Sequence, residues 1–185
     1  MRVKVDESDV RRALAIVEGD PCFAESLAAA KAGRRPGEML QALSLRPEIL
    51  AGFGRLSEGL YPGGLVERDL KELVILEVSR ANACQFCTGV HDLAARMLGL
   101  GDEPLRLLDE PARQTPRQRL ALEYARAAVR DSNRVGDELF GRLRAAFSDA
   151  EIVEVTFLIG NIACLNLFNN CLQVTYHGEY EGRRT

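Results

Sequence analysis

The apolar positions of this chain recur at three- and four-residue intervals almost throughout, the period of helices that bury one face. Alternating Val/Ile/Thr/Tyr runs and Asn-Gly or Asp-Gly turns, the marks of strands and hairpins, are absent. The pattern predicts a helix over 6–18 ended by Gly19, then one over 23–32 ended by Gly33 and a loop at 34–37. Pro47 suits the first turn of a helix running to Leu60, where Pro62-Gly63-Gly64 stops it. The next begins near Val66 and carries Leu70, Leu73, Val74, Leu76 and Val78, and another spans 83–98, closed by Gly99 and Gly101. A short helix at 102–108 ends before Pro111. Thr115-Pro116 reads as a cap followed by proline at the first helical position, opening a helix to about Asp131. Residues 135–147 follow, and Ser148 or Asp149 caps a last long helix reaching about Val174. The tail, 176–185, is polar and loose. The expected fold class is all-α, a bundle of eight or nine helices in a single domain over 1–185.

Sliding the chain by 82 positions lays Glu72 on Glu154, Leu73 on Val155, Leu76 on Leu158 and Phe86 on Phe168. Under the same shift Cys84, Cys87 and His91 fall on Asn166, Asn169 and Gln173. An internal two-fold echo of this kind makes 40–101 the core motif and about 115–174 a second half-repeat, with the reactive side chains kept only in the first.

Composition narrows the class. The 185 residues are 46% apolar and 28% charged. Area scaling gives ~29,600 Å² for the unfolded chain and ~8,800 Å² for the folded one, so about 70% of the surface can be buried without disulfide staples. The net charge is −3 and the basic residues are scattered, which gives polyanions no stripe to bind. Residues 1–10 alternate charges with valines and hold no apolar export signal. The longest apolar stretch, 155–172, is interrupted by Gly160, Asn161, Asn166, Asn169 and Asn170, and is read as a buried helix rather than a membrane span. The expectation is a soluble, cytoplasmic protein with neither nucleic acid nor membrane as partner.

Five cysteines in such a chain argue against a secreted disulfide framework. Cys22, Cys164 and Cys171 are assigned to core packing, and His177 to the surface. The informative segment is Cys84-Gln85-Phe86-Cys87-Thr88-Gly89-Val90-His91. On a helix these cysteines are i and i+3, and Cys87 and His91 are i and i+4, so all three share a face. A dithiol at this spacing can close into a disulfide, and the histidine can take a thiol proton or stabilise the thiolate. Asn82 as N-cap would put Cys84 in the first turn, where unpaired N–H groups favour an anion. Haem attachment is excluded, because Thr88 stands where its histidine must be. Zinc competes, with His177 or Cys171 as a fourth ligand, although no second clustered pair accompanies the first. Two carboxylates are candidates for assisting. Glu77 lies seven residues before Cys84 on the same stripe, whereas Glu72 lies twelve before, about 18 Å along a straight axis. Glu72 reaches the thiols only if the chain bends near Asn82 and two helices pack side by side. Spacing alone does not choose between them, and for Glu77 the simplest reading is a solvated face.

At these residues the sequence resembles the carboxymuconolactone decarboxylase-like superfamily and, within it, the AhpD-like alkylhydroperoxidases. The shared motif is a Glu, twelve residues to a Cys-x-x-Cys, then four to a His, here Glu72, Cys84, Cys87 and His91. Leu45-Arg46-Pro47-Glu48-Ile49-Leu50 and the segment 94–99 are similar too, so the likeness covers about 40–101 and, more weakly, 149–174. It implies an all-helical fold whose protomers assemble as trimers or hexamers. It also implies a cysteine-based peroxidase with no cofactor and no metal. Cys87 attacks the hydroperoxide, Cys84 resolves the sulfenic acid, His91 accepts the proton and Glu72 tunes it, while an external dithiol reductant closes the cycle. One position departs: Phe86 stands where the best-known members carry a second histidine, so one arm of their proton relay is missing. Apolar Phe86 and Val90 suit an organic hydroperoxide. The alternatives are a decarboxylase-type lyase, whose known representatives generally lack the cysteine pair, a non-catalytic redox sensor, and a structural zinc domain.

Overall fold

The structure, a computed structural model, describes residues 1–178, and among them every regular element is helical. In chain order these are α1 (Glu7–Ile16), α2 (Ala24–Lys31), α3 (Glu38–Ser44), α4 (Pro47–Leu60), α5 (Arg68–Ala81), α6 (Gln85–Met97), α7 (Pro104–Leu107), α8 (Pro116–Asp131), α9 (Asp137–Ala146) and α10 (Asp149–Leu172). Single 3₁₀ turns occupy Pro21–Phe23, Pro111–Arg113 and Ser132–Arg134. The all-α expectation holds. The polar tail from 179 on lies outside the described residues. The chain divides into two compact units, one of residues 1–64 with 169–178, the other of 65–168.

In the first unit α1, α3 and α4 pack on one another and the 3₁₀ turn packs on α4. Gly54 of α4 makes that last contact close. A Cβ there would meet the Asp20 carboxylate and come within 2.5 Å of the Phe23 ring. Helix α3 has no counterpart in the sequence reading. Residues 40–44 are all buried, so the segment lacks the polar stripe that gives an amphipathic helix its period.

The second unit is organised around α5, which is buried without a break from Leu70 to Ser79. A helix buried on every side has to be surrounded, and α6 and α8 pack against it. Leu73 and Leu76 meet Ala95 of α6, Leu107, Leu108 and Leu122 of α8 in one buried cluster. Helix α8 opens as its sequence predicts, with Thr115 as cap, Pro116 in the first turn, and Gln118 returning the hydrogen bond to the Thr115 N–H at 2.9 Å. Ser148 and Glu151 make the same reciprocal arrangement at the start of α10. A further tie joins α5 to α10: Lys71, fully buried, places Nζ 2.5 Å from Glu154 Oε1. The same carboxylate accepts the N–H groups of Leu65 and Val66 at 2.6 and 3.1 Å.

Two expectations about α10 need correction. Its most apolar 18-residue window has mean hydropathy 1.6, enough by length and composition to cross a membrane, yet only 33% of that window is buried. Val153, Phe157 and Leu167 are each more than half exposed. The helix is therefore buried on one face only. Cys164 and Cys171, together with Cys22, are exposed thiols rather than core residues. The internal echo also stops at the level of pattern. The α5–α6 segment is two helices around a turn, whereas its counterpart in α10 runs straight through.

Candidate active site

The site begins at the turn between α5 and α6. The Cys84 N–H donates to the Ser79 carbonyl at 2.9 Å and the Ala83 N–H to the Arg80 carbonyl at 3.1 Å. This is the Schellman pattern, which needs a left-handed residue after the helix end. Ala83 fills that place with φ 50°, where glycine is the usual occupant. Asn82 is consequently the C-cap of α5 and not, as the sequence suggested, the N-cap of α6. Cys84 itself is the N-cap, with extended dihedrals (φ −85°, ψ 96°). Cys87 is then the third helical residue and His91 lies one turn further on.

The turn is braced from α10. Asn82 Nδ2 donates to Asn166 Oδ1 at 3.1 Å, and Asn166 Nδ2 donates to Ser79 Oγ at 3.2 Å. Asn166, fully buried, is the echo counterpart of Cys84. Its role here is to hold the residues from which Cys84 departs.

Because the chain reverses at Ala83, α6 runs back along α5. Glu72 Oε2 and His91 Nδ1 come within 2.7 Å. Glu72 is fully buried and the His91 side chain is 14% exposed. In the tautomer that carries its proton on Nδ1, His91 donates to Glu72 and leaves Nε2 as an acceptor. Arg68, one turn before Glu72, places Nε 3.8 Å from Glu72 Oε1. Arg68 was not singled out from the sequence, although its i, i+4 spacing to Glu72 was the available signal. Cys84, Phe86 and Cys87 are buried at the first turn of α6. Both cysteines are thiols.

Glu77, the other candidate carboxylate, is not solvated. It is buried, and its Oε2 accepts from both Arg80 and Arg126 at 2.9 Å. For the zinc reading, no three His, Cys, Asp or Glu side chains converge as a ligand set among the described residues. His177 is an exposed residue bonded to Glu38 at 3.2 Å.

A sequence profile of the carboxymuconolactone decarboxylase family matches residues 47–127, which contain the whole α5–α6 hairpin. The Bacillus subtilis (strain 168) protein YdfG, itself uncharacterised, is 30% identical over 105 residues, 55% of this chain and 71% of YdfG. This chain belongs to the carboxymuconolactone decarboxylase family. Among solved structures of this fold, the AhpD-core, peroxidase-related protein of Ralstonia eutropha JMP134 gives a TM-score of 0.75 at 23% identity, over 97% of this chain and 93% of that one. The debrominase Bmp8, solved as a cysteine-to-alanine variant with 2,3,4-tribromopyrrole, gives 0.72 at 17% identity, over 95% and 90% of the two chains. These likenesses are of fold. The fold is one that a peroxidase-related protein and a debrominase share, so it does not by itself fix the chemistry.

Proposed function

We propose that this family member is a cysteine-dependent peroxidase that reduces organic hydroperoxides. The observation that carries the reading is the 2.7 Å contact between His91 Nδ1 and buried Glu72, which aims a proton-accepting Nε2 from the residue one turn beyond Cys87. In the first step His91 takes the Cys87 thiol proton, and the thiolate attacks the distal peroxide oxygen. The S–O bond forms as the O–O bond breaks, Cys87 becomes a sulfenic acid, and the alkoxide leaves as alcohol with the proton from His91. Cys84 then displaces water from that sulfenic acid, giving the Cys84–Cys87 disulfide. An external dithiol reduces the disulfide and is itself oxidised. Cys84 at the N-cap lies outside the rigid helix that holds Cys87, which suits the residue that must move to resolve. No metal or cofactor enters the cycle. The need for a dithiol reductant favours the cytoplasm.

Thiols are counted under denaturing conditions, with and without one equivalent of cumene hydroperoxide. The expected result is loss of two thiols, mapped by peptide mass to Cys84 and Cys87 and restored by a dithiol. Cys87→Ser and Cys84→Ser should each end turnover with dithiols. Five thiols still counted after peroxide, or activity retained in both variants, refutes the mechanism. A brominated pyrrole serves as comparison substrate, because faster turnover of it than of the peroxide would reassign the chemistry.

A further inference from the structure

We propose that the cleft between α1 and α2 binds a straight-chain carboxylate, the anion of a fatty acid, with its alkyl chain along α1 and its head among arginines. The cleft shares no residue with the dithiol site, and the inference is independent of the peroxidase reading.

Helix α1 is packed on α3 and α4, and α2 on the 3₁₀ turn of residues 21–23. Between α1 and α2 an open cleft of about 380 Å³ remains, walled on its third side by the loop from Gly33 to Pro36. One face of α1 and of the turn after it lines the cleft from Glu7 to Glu18. Val10 and Leu14 are its buried apolar floor, and half-buried Leu27 and Ala30 of α2 line the other side. The stretch from Glu7 to Glu18 is ~16 Å along a helix axis, the length of an extended alkyl chain of roughly a dozen carbons. The volume falls among those of small-molecule sites, roughly 300–1,000 Å³. A single turn of helix, about 10 Å across and about 5.4 Å long, already fills ~420 Å³, so the cleft is too small for a partner helix.

The rim selects the charge of the occupant. Four cations, Arg11, Lys31, Arg34 and Arg35, stand there against two carboxylates, Glu7 and Glu18, in a chain whose net charge is −3. Lys31 is already matched, with Nζ 3.5 Å from Glu18 Oε1. Both residues also line a smaller hollow beyond, so their bridge marks one end of the cleft. Asp9 of α1 is likewise taken, by Arg12 at 2.6 Å. Among the described residues no carboxylate lies within ion-pair distance of Arg11, Arg34 or Arg35. Three unmatched guanidiniums beside an apolar floor call for a ligand with an anionic end and an apolar body. The guanidinium fork matches the two oxygens of a carboxylate, and the two acidic side chains on the rim favour a singly charged head over a dianionic phosphate. A neutral lipid would leave the arginines unused, and a small anion would leave the floor uncovered. A membrane surface fits less well, because Val10 and Leu14 are recessed and cannot enter it.

The test is isothermal titration calorimetry of the intact chain with dodecanoate, kept below the concentration at which it forms micelles. One dodecanoate should bind per chain. Each pair of methylenes removed, to decanoate and then octanoate, should weaken binding about 5–15-fold. From tetradecanoate to hexadecanoate the gain should stop, because the cleft covers no more of the chain. Arg34→Ala/Arg35→Ala, at exposed loop positions, should weaken dodecanoate about tenfold or more with an unchanged helical circular dichroism spectrum. Ala15→Phe, from an exposed position on the wall, should fill the cleft and abolish binding. Absence of saturable heat overturns the proposal, as does equal affinity for dodecanol or dodecyltrimethylammonium. Affinity indifferent to either variant overturns it as well. A gain that continues through hexadecanoate marks detergent-like adsorption and also overturns it. Tighter binding of dodecyl phosphate overturns the carboxylate head, and co-flotation with phosphatidylglycerol vesicles that dodecanoate does not displace overturns the choice of a free fatty acid.

Discussion

Replacing Glu154 by glutamine should cost this protein more stability than any change at its surface. The carboxylate is the counter-charge of Lys71, which is fully buried with Nζ 2.5 Å away. Glutamine keeps an oxygen for the Leu65 and Val66 N–H groups but removes the negative charge that lies against the Lys71 ammonium. Breaking one side of a buried pair typically costs about 3–5 kcal/mol, so Glu154→Gln is expected in that interval. Lys71→Met should cost less, about 1–3 kcal/mol, because the carboxylate keeps two backbone donors and lies nearer solvent. Urea unfolding followed by circular dichroism, with the slope m unchanged, gives both numbers. The acid limb supplies a second check. Burial pushes the Glu154 carboxyl up, but the Lys71 bond and the two backbone N–H groups outweigh it and hold it below the usual range. A depressed folded value means stability that is present above the unfolded value near 4.3 and lost as pH falls through the folded one. The acid slope of wild type should accordingly flatten in Glu154→Gln. A loss under about 1 kcal/mol, or a larger loss in Lys71→Met than in Glu154→Gln, refutes the reasoning.

Three further outcomes are expected. Glu72→Gln preserves volume but can donate to His91 Nδ1 and force the ring proton onto Nε2, so kcat/KM with cumene hydroperoxide should fall about 10²–10⁴-fold, and a change under threefold would remove Glu72 from the relay. Ala83→Gly relieves the left-handed strain at φ 50° and should stabilise the fold by about 1 kcal/mol, a rise of roughly 2–4 °C in Tm by calorimetry. Gly54→Ala drives a methyl into the Asp20 carboxylate and Phe23 ring and should destabilise by about 1–3 kcal/mol in the same urea assay.

How far the sequence carries depends on whether the governing interaction is local. The start of α8 was legible because Thr115, Pro116 and Gln118 form the whole cap within four residues. The span of α4 was legible for the same reason, with Pro47 at one end and Pro62-Gly63-Gly64 beyond the other. The α5–α6 boundary was displaced because Asn serves at either end of a helix, and the left-handed residue is Ala83, which carries no such signal in sequence. Helix α3 was invisible because burial on all sides erases periodicity. The exposed face of α10 read as core because an apolar stripe looks alike whether it faces the interior or another surface. Glu72 and Glu77 were not separable by spacing. Resemblance to a family favoured Glu72, and the contact with His91 exists only because the chain reverses between them.

The Lys71–Glu154 clasp has a consequence in time as well as in energy. Glu72 and His91 are separated by 19 residues, whereas Glu154 reaches back 89 residues to the Leu65 N–H. By the logarithmic dependence of loop closure on length, the longer closure costs about 1.4 kcal/mol more before any contact repays it. The hairpin of α5 and α6 should therefore assemble early, and the clasp should close on the native side of the rate-limiting barrier. Weakening the clasp would then leave the refolding rate nearly untouched and shorten the lifetime of the native state.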